Sequence, residues 1–415
     1  MKPSIFDPEN WREIGATLAR NKTRTFLTAF GIFWGTAMLA MLWGGARGFE
    51  GVMMRNFAGL TTNLGGVFPS QRTMSYKGFN KGSGWALTFD DVERIKRTAP
   101  AMEYCSEVIT RYGTGAIGSK TAGGQVIGVG EEYTHIMSPE VYSGRLVNAS
   151  DIAGKRKVAV VGRNLAANLF GADDPIGKNF SINGVYFRCI GVAGQLGEAS
   201  IGGRIDDSFM VPSSTMQLIF NTGNKVTFMI YTAPAGHSPK DNQASIMRIL
   251  SASHAIHPDD TNAVSFLDFS ETFSMIAALF LGISLLALFI GIGSLMAGVI
   301  GVGNIMWIIV KERTQEFGIR RAIGARPIDI TVQVLSESIV LTLVAGIAGV
   351  SFATVVLGIA DTVTMHPVLG KAGFSLPFTT AAAIVVIFFI LGSAAGTLPA
   401  IKAMKISPIE AIRDK

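Results

Sequence analysis

Four groups of residues in this chain have types and spacing that could do chemistry, and three of them fall short. Gly113-Thr-Gly115-Ala-Ile-Gly118 has the GxGxxG spacing that lets a backbone approach a dinucleotide pyrophosphate. No βαβ continuation of roughly 20 residues follows it, so the context that would give the motif meaning is missing. "GADDPIGKN" (171–179) resembles a phosphate loop, but five residues separate Gly171 from Gly177, and Asn179 replaces the required Ser or Thr. With no Walker motif anywhere, these 415 residues cannot hydrolyse ATP by that route. Of five histidines only His254 and His257 are close together. No Cys or carboxylate cluster completes a metal set around them, so they read as a surface pair. Neither a GxSxG elbow nor an HExxH helix occurs, and no cofactor is expected.

The fourth group is "KERTQEFGIRRAIGARP" (311–327), with five basic and two acidic side chains directly after a long apolar run. Gly324 is placed to end a helix and Pro327 to begin the next. Phe317, Ile319, Ala322 and Ile323 give the first of these an apolar side, while Lys311, Glu312, Arg313, Glu316, Arg320 and Arg321 stay in water. A short charged helix of this kind can dock in a partner's groove.

The surroundings of this stretch are made for lipid. Charged residues are 16% of the chain, against about 25% in soluble domains. Charge-free runs of 22, 39, 23 and 30 residues separate Arg24 from Arg47, Glu271 from Lys311, Glu337 from Asp361 and Lys371 from Lys402. About 20 apolar residues of helix cross a hydrocarbon core, so each run can span. Carboxylates buried inside spans would suggest ion-driven transport, and the spans are read as free of charge. The first run is longer than a signal-peptide core and follows 24 residues, which makes it an uncleaved anchor.

Lysine and arginine counts in the short segments set the orientation. Residues 1–24 hold five, 311–329 another five and 402–415 four, whereas 361–376 holds Lys371 alone, balanced by Asp361. Both termini and the charged stretch are therefore expected in the cytoplasm. The overall charge of +6 reflects topology, not a nucleic-acid surface. The expected layout is a cytoplasmic amphipathic helix over 1–24 and spans at 25–46, 271–310, 331–360 and 377–398. An outer domain occupies 47–270, a cytoplasmic loop 311–330, an outer loop 361–376 and a cytoplasmic tail 399–415. Asp7-Pro8-Glu9 caps the first helix, and Trp11, Ile14 and Leu18 turn one face to the membrane lipid.

The outer domain is read as α+β with two lobes, one inserted in the other. Helices are expected over 87–100 and 239–252, and strands over 157–162, 185–192, 225–233 and 263–269, with Asn183-Gly184 as a hairpin turn. Phe49, Val52, Met53 and Phe57 recur at helical spacing past the first span, and the second run is about twice the length a bilayer needs, so a helical stalk is expected. Cys105 and Cys189 are permitted a disulfide outside, and two buried thiols fit equally well. Gly392 and Gly396 form a GxxxG in the last span, and Ala345…Gly349 and Ala297…Gly301 share the small-xxx-small spacing, within one chain or between two.

Two long stretches resemble a known family. "YSGRLVNASDIAGKRKVAVVGRNLAANLFGADDPIGKNFSINGVYFRCIGV" (142–192) is similar to the periplasmic core domain of MacB/FtsX-type ABC transporter permeases. "ERTQEFGIRRAIGARPIDITVQVLSES" (312–338) looks like that family's loop between the second and third spans, and "LPAIKAMKISPIEAIR" (398–413) like its ending. The resemblance implies a non-catalytic inner-membrane permease subunit that passes ATP-driven motion to the periplasm, exporting a compound or peptide from there. Glu312, Arg313, Glu316, Phe317, Arg320, Arg321 and Gly324 would couple it to the ATPase, and Gly392 and Gly396 would pack helices. Only 24 residues precede the first span, so the ATPase is expected as a separate cytoplasmic chain. A homodimer or a heterodimer with a paralogous permease, a periplasmic adaptor and an outer-membrane duct are further expected partners, with no nucleic acid. Lipoprotein release, activation of a cell-wall hydrolase, and an ATP-independent receptor or scaffold remain the alternatives.

Overall fold

The computed structural model describes residues 22–404 of the chain. The amphipathic helix expected over 1–24 lies outside the described residues except for 22–24, as does the tail beyond residue 404. The helices are α1 (Lys22–Arg55), α2 (Phe89–Thr98), α3 (Tyr133–Met137), α4 (Ala149–Ala153), α5 (Arg163–Phe170) and α6 (Ser213–Ile219). Then come α7 (Lys240–His254), α8 (Phe269–Glu312), α9 (Thr314–Ala322), α10 (Pro327–Val363) and α11 (Phe378–Met404). The strands are β1 (Leu64–Pro69), β2 (Leu87–Thr88), β3 (Tyr104–Ile117), β4 (Lys120–Val129), β5 (Glu140–Gly144) and β6 (Val158–Gly162). They continue with β7 (Asn179–Ile182), β8 (Val185–Gly194), β9 (Ser208–Pro212), β10 (Lys225–Val226), β11 (Phe228–Thr232) and β12 (Val264–Asp268). The described residues divide into a helical unit (22–52 and 278–404) and a sheet unit (53–277).

In the sheet unit ten strands share one sheet, in the order β12-β1-β11-β3-β4-β9-β6-β8-β5, with β7 pairing β3 and β8. Neighbours are antiparallel except β4 with β9 and β6 with β8. Asn183 (φ 47°) and Gly184 (φ 83°) make the two-residue turn between β7 and β8, where both central residues need positive φ. Thr88 caps α2: its hydroxyl accepts from Asp91 N–H while the Asp91 carboxylate accepts from Thr88 N–H. The helix expected over 87–100 therefore starts only at Phe89, and residues 87–88 pair with β10 instead. The strand expected over 225–233 breaks at Thr227, because β10 pairs with β2 and β11 with β1 and β3. Three apolar clusters lie in this unit. One joins α2 and α7 to Val67 and Tyr231, one joins α5 to Phe187 and Phe209, and one gathers Leu64, Val108, Met210 and Phe228.

Among the described residues four helices of 34, 44, 37 and 27 residues are long and apolar enough to cross a membrane. Their buried seam includes Ile32, Leu39, Leu295, Met306, Val334 and Phe388. Phe26, Phe289, Val355 and Phe389 point outward, which suits a lipid-facing surface. At Gly349 an added Cβ would lie 2.5 Å from Phe33 O, so α10 and α1 approach backbone to backbone. Every long helix overruns its expected span. The largest overrun is at the end of α1, which continues past residue 46 to Arg55, and α11, which carries Pro399, continues to Met404 where a tail was expected. Asp361 near the end of α10 accepts hydrogen bonds from Gly373 N–H (2.9 Å) and Phe374 N–H (3.2 Å), and Lys371 Nζ stands 4.0 Å away. That carboxylate shapes the 361–376 loop, whose Phe374 ring packs over Gly48 and Phe49.

Candidate functional site

The charged stretch forms a bend, a short helix and a turn. Arg313 N–H donates to Ile309 O and Phe317 N–H to Arg313 O, each at 3.0 Å, so α8 passes into α9 with little interruption. At the far end Gly324 N–H donates to Arg321 O (3.1 Å) and Ala325 N–H to Arg320 O (3.0 Å), with Gly324 at φ 107°. This is a Schellman cap, and it needs a residue without Cβ at its left-handed position. Pro327 opens α10, and Arg326 N–H donates to the Asp329 carboxylate at 3.1 Å.

The apolar residues of α9 do not share one face. Phe317 and Gly318 are buried against Ile330 and Val334, whereas Ile319, Ala322, Ile323 and the nearby Ile328 are exposed, Ile323 at 83%. The charges divide as well. Arg313, expected in water, has a side chain only 11% exposed. Its Nε and Nη2 donate to the two Glu316 oxygens and its Nη1 to Glu337 Oε1, all at 2.9 Å, while the guanidinium lies over the Phe317 ring. Burial opposes the charge on Arg313, but the two carboxylates outweigh it and hold the guanidinium above its ordinary range. Glu316 also pairs with Arg320 at 2.9 Å, and Arg320 donates to Gln333 Oε1 at 3.2 Å. Glu312 is exposed and Arg321 half-buried.

Glu337 was missed in the sequence. It lies inside the span expected over 331–360, against the reading of charge-free spans, and its side chain is 1% exposed. A charge on an apolar helix was the available signal. Next to it, Ser338 Oγ donates to Gly392 O at 3.0 Å. An added Cβ at Gly392 would lie 2.8 Å from Thr342 Oγ1, and one at Gly396 would strike Ser338 Oγ. The GxxxG of α11 thus lies against α10 of the same chain.

The other candidates are not brought together. Gly113–Gly118 runs along β3 into its turn, Gly113 and Gly115 pairing with Gly124 and Ala122. In the phosphate-loop look-alike, Lys178 Nζ is bound to Asp173 at 2.8 Å. His254 is not a surface residue. Its Nε2 lies 2.6 Å from Asp91 Oδ2 and its ring lies against Trp85. Burial would raise the Asp91 carboxyl, but hydrogen bonds from His254 and Thr88 outweigh it and hold it below the usual range. Among the described residues no group of three or more His, Cys, Asp or Glu could hold a metal.

Cys105 and Cys189 are free and buried in different clusters. Burial pushes the Cys105 thiol up to about 12 and the Cys189 thiol up to about 11. Since the thiolate is the reactive form, iodoacetamide at pH 8 should modify neither in the folded chain and both after denaturation, as read by intact mass. Modification of either in the folded chain would contradict this burial.

Two family models match the chain, a MacB-like periplasmic core domain over residues 25–249 and an FtsX-like permease C-terminal region over 288–408. The macrolide export ATP-binding/permease protein MacB of Bdellovibrio bacteriovorus is 31% identical over 96% of this chain and 60% of that protein. Its namesake in Chlorobaculum tepidum is 29% identical, with the same coverage. The chain thus spans about 60% of the length of the curated relatives it matches. Among solved structures, the periplasmic region of MacB from Actinobacillus actinomycetemcomitans superposes with a TM-score of 0.43 at 17% identity, covering 54% of this chain and 97% of that one.

Proposed function

The chain belongs to the MacB/FtsX family of ABC permeases, and from that premise we propose that it passes the cycle of a cytoplasmic ATPase to a periplasmic sheet unit, driving export of a compound or peptide from the periplasm. The observation that supports this reading is the turn at 313–328, a capped helix with Ile319, Ile323 and Ile328 left exposed around it, a surface suited to docking. No phosphate loop occurs in these 415 residues, so the hydrolysing domain is one they do not contain. Helix α8 runs unbroken from Phe269 to Glu312, about 66 Å at 1.5 Å per residue, which gives the motion a stiff path. Both ends of the chain face the cytoplasm of an inner-membrane protein in this reading, and the sheet unit works as two lobes on a helical stalk. Two permease chains meet two ATPases, with an adaptor and an outer-membrane duct completing the export route.

Topology and energy supply test it together. Ser70→Cys and Thr261→Cys should react with an impermeant maleimide in intact spheroplasts, both positions being exposed. Gln315→Cys should react only after lysis. It is a better probe than its neighbour Thr314, whose hydroxyl donates to Val310 O. The two native thiols stay silent because they are buried. The chain should also co-purify with its ATPase and stimulate turnover. Labelling of Gln315→Cys from outside would overturn the orientation, and a chain that binds no nucleotide-hydrolysing partner would favour a receptor or scaffold.

A further inference from the structure

We propose that Glu337 is a positioning residue that fastens α9 to the third long helix through Arg313, so that motion imposed on the turn enters α10 and α11 as well as α8. The inference rests on the coupling role proposed above. The Arg313 guanidinium is a three-point joint: two nitrogens hold Glu316 on α9 and one holds Glu337 on α10, at 2.9 Å each. Both partners of the Arg313–Glu337 pair are nearly out of water, at 11% and 1% exposure. Glu337 lies ten residues beyond Pro327, about 15 Å along α10, so the joint is set well back from the covalent turn at Gly324. The residue after it binds the backbone of α11, through Ser338 Oγ and Gly392 O. One chain of contacts therefore runs from α9 through Arg313, Glu337 and Ser338 to α11. A buried ion pair is a poor way to add stability, and replacement by apolar residues of similar size is often neutral or better. What such a pair supplies is geometry, because a planar guanidinium holds two carboxylates at set angles.

The test uses the full chain with its ATPase in lipid nanodiscs. Replacing the pair together (Arg313→Met with Glu337→Leu) removes the joint while filling its space. Thermal stability and ATPase co-purification should survive, but stimulation of ATPase turnover by the permease should fall at least tenfold. Glu337→Gln, which keeps size and an acceptor for Arg313, covers the case in which the double variant does not fold, and should lose several-fold. Full stimulation by a folded form of either variant would overturn the proposal and leave the pair a packing feature. Failure of the coupling reading itself is distinct, because the unmodified chain would then neither bind nor stimulate the ATPase.

Discussion

Ile323→Glu will leave the chain folded and its ATPase unbound. Ile323 is 83% exposed at the C-terminal cap of α9, and Ile319 and Ile328 are exposed too, so replacing it removes little packing from the folded chain. In the proposed complex the side chain would be buried against the ATPase, and burying an unpaired carboxylate there costs several kcal/mol. At about 4 kcal/mol the affinity falls roughly a thousandfold. Val363→Glu is the matching control, also at an exposed apolar site but at the other end of α10, and should bind as the parent does. Glu316→Arg is a poorer test, although the sequence suggests it. Glu316 pairs with both Arg313 and Arg320, so reversal would crowd three cations and release the helix itself. Co-purification and a titration of ATPase turnover decide it, and unchanged affinity for Ile323→Glu would mean that the turn does not dock.

The sequence reveals these features unevenly, for physical reasons. The long helices were legible because lipid demands uninterrupted apolar runs, and the turn because Gly324 and Pro327 punctuate it by local rules. Pairings between distant residues were not. The partner of Arg313 lies 24 positions away on another helix, and that of His254 lies 163 away. The long β3–β4 hairpin, the centre of the sheet, was hidden by its glycines, which usually argue against strands. Their reason is tertiary. A Cβ at Gly115 would lie 2.5 Å from the Phe209 ring, at Gly124 2.7 Å from Leu165, and at Gly128 2.9 Å from Met216. The Phe209 ring of β9 and the side chains of helices α5 and α6 pack so closely on the sheet that it has no room for side chains at those positions. The "SGR…NASD" stretch is legible as a motif, but its physical reason, a buried Asp151 held by two arginines, exists only in the fold.

Asp151→Ala should lower the melting temperature of the full chain in detergent by roughly 5–10 °C near neutral pH. The Asp151 carboxylate is fully buried. Arg145 grips it with both Nη atoms, at 2.6 and 3.1 Å, and Arg156 Nη1 adds a bond at 3.3 Å. It also accepts from Asn148 N–H, while its own N–H donates to the Asn148 side chain, which closes the cap of α4. Arg145 N–H donates in turn to Ile190 O, so the motif is tied to β8. Removing one member of a buried ion cluster costs about 3–5 kcal/mol. Both arginines are about half exposed and can rehydrate, which brings the cost below that range, to about 2–3 kcal/mol. At about 2–4 °C per kcal/mol for a domain of this size, that gives the stated drop. The hydrogen bond from Arg145 is the main reason the carboxyl lies below its ordinary range in the fold. Its contribution is therefore complete above the unfolded value near 4, and is lost as pH falls through the lower folded value. The gap between parent and Asp151→Ala should accordingly be constant from pH 5 to 8 and narrow below pH 4. A gap that does not narrow at all between pH 4 and pH 2.5 would mean that the side chain acts by filling space, and that the charge at its centre does not hold this corner of the sheet.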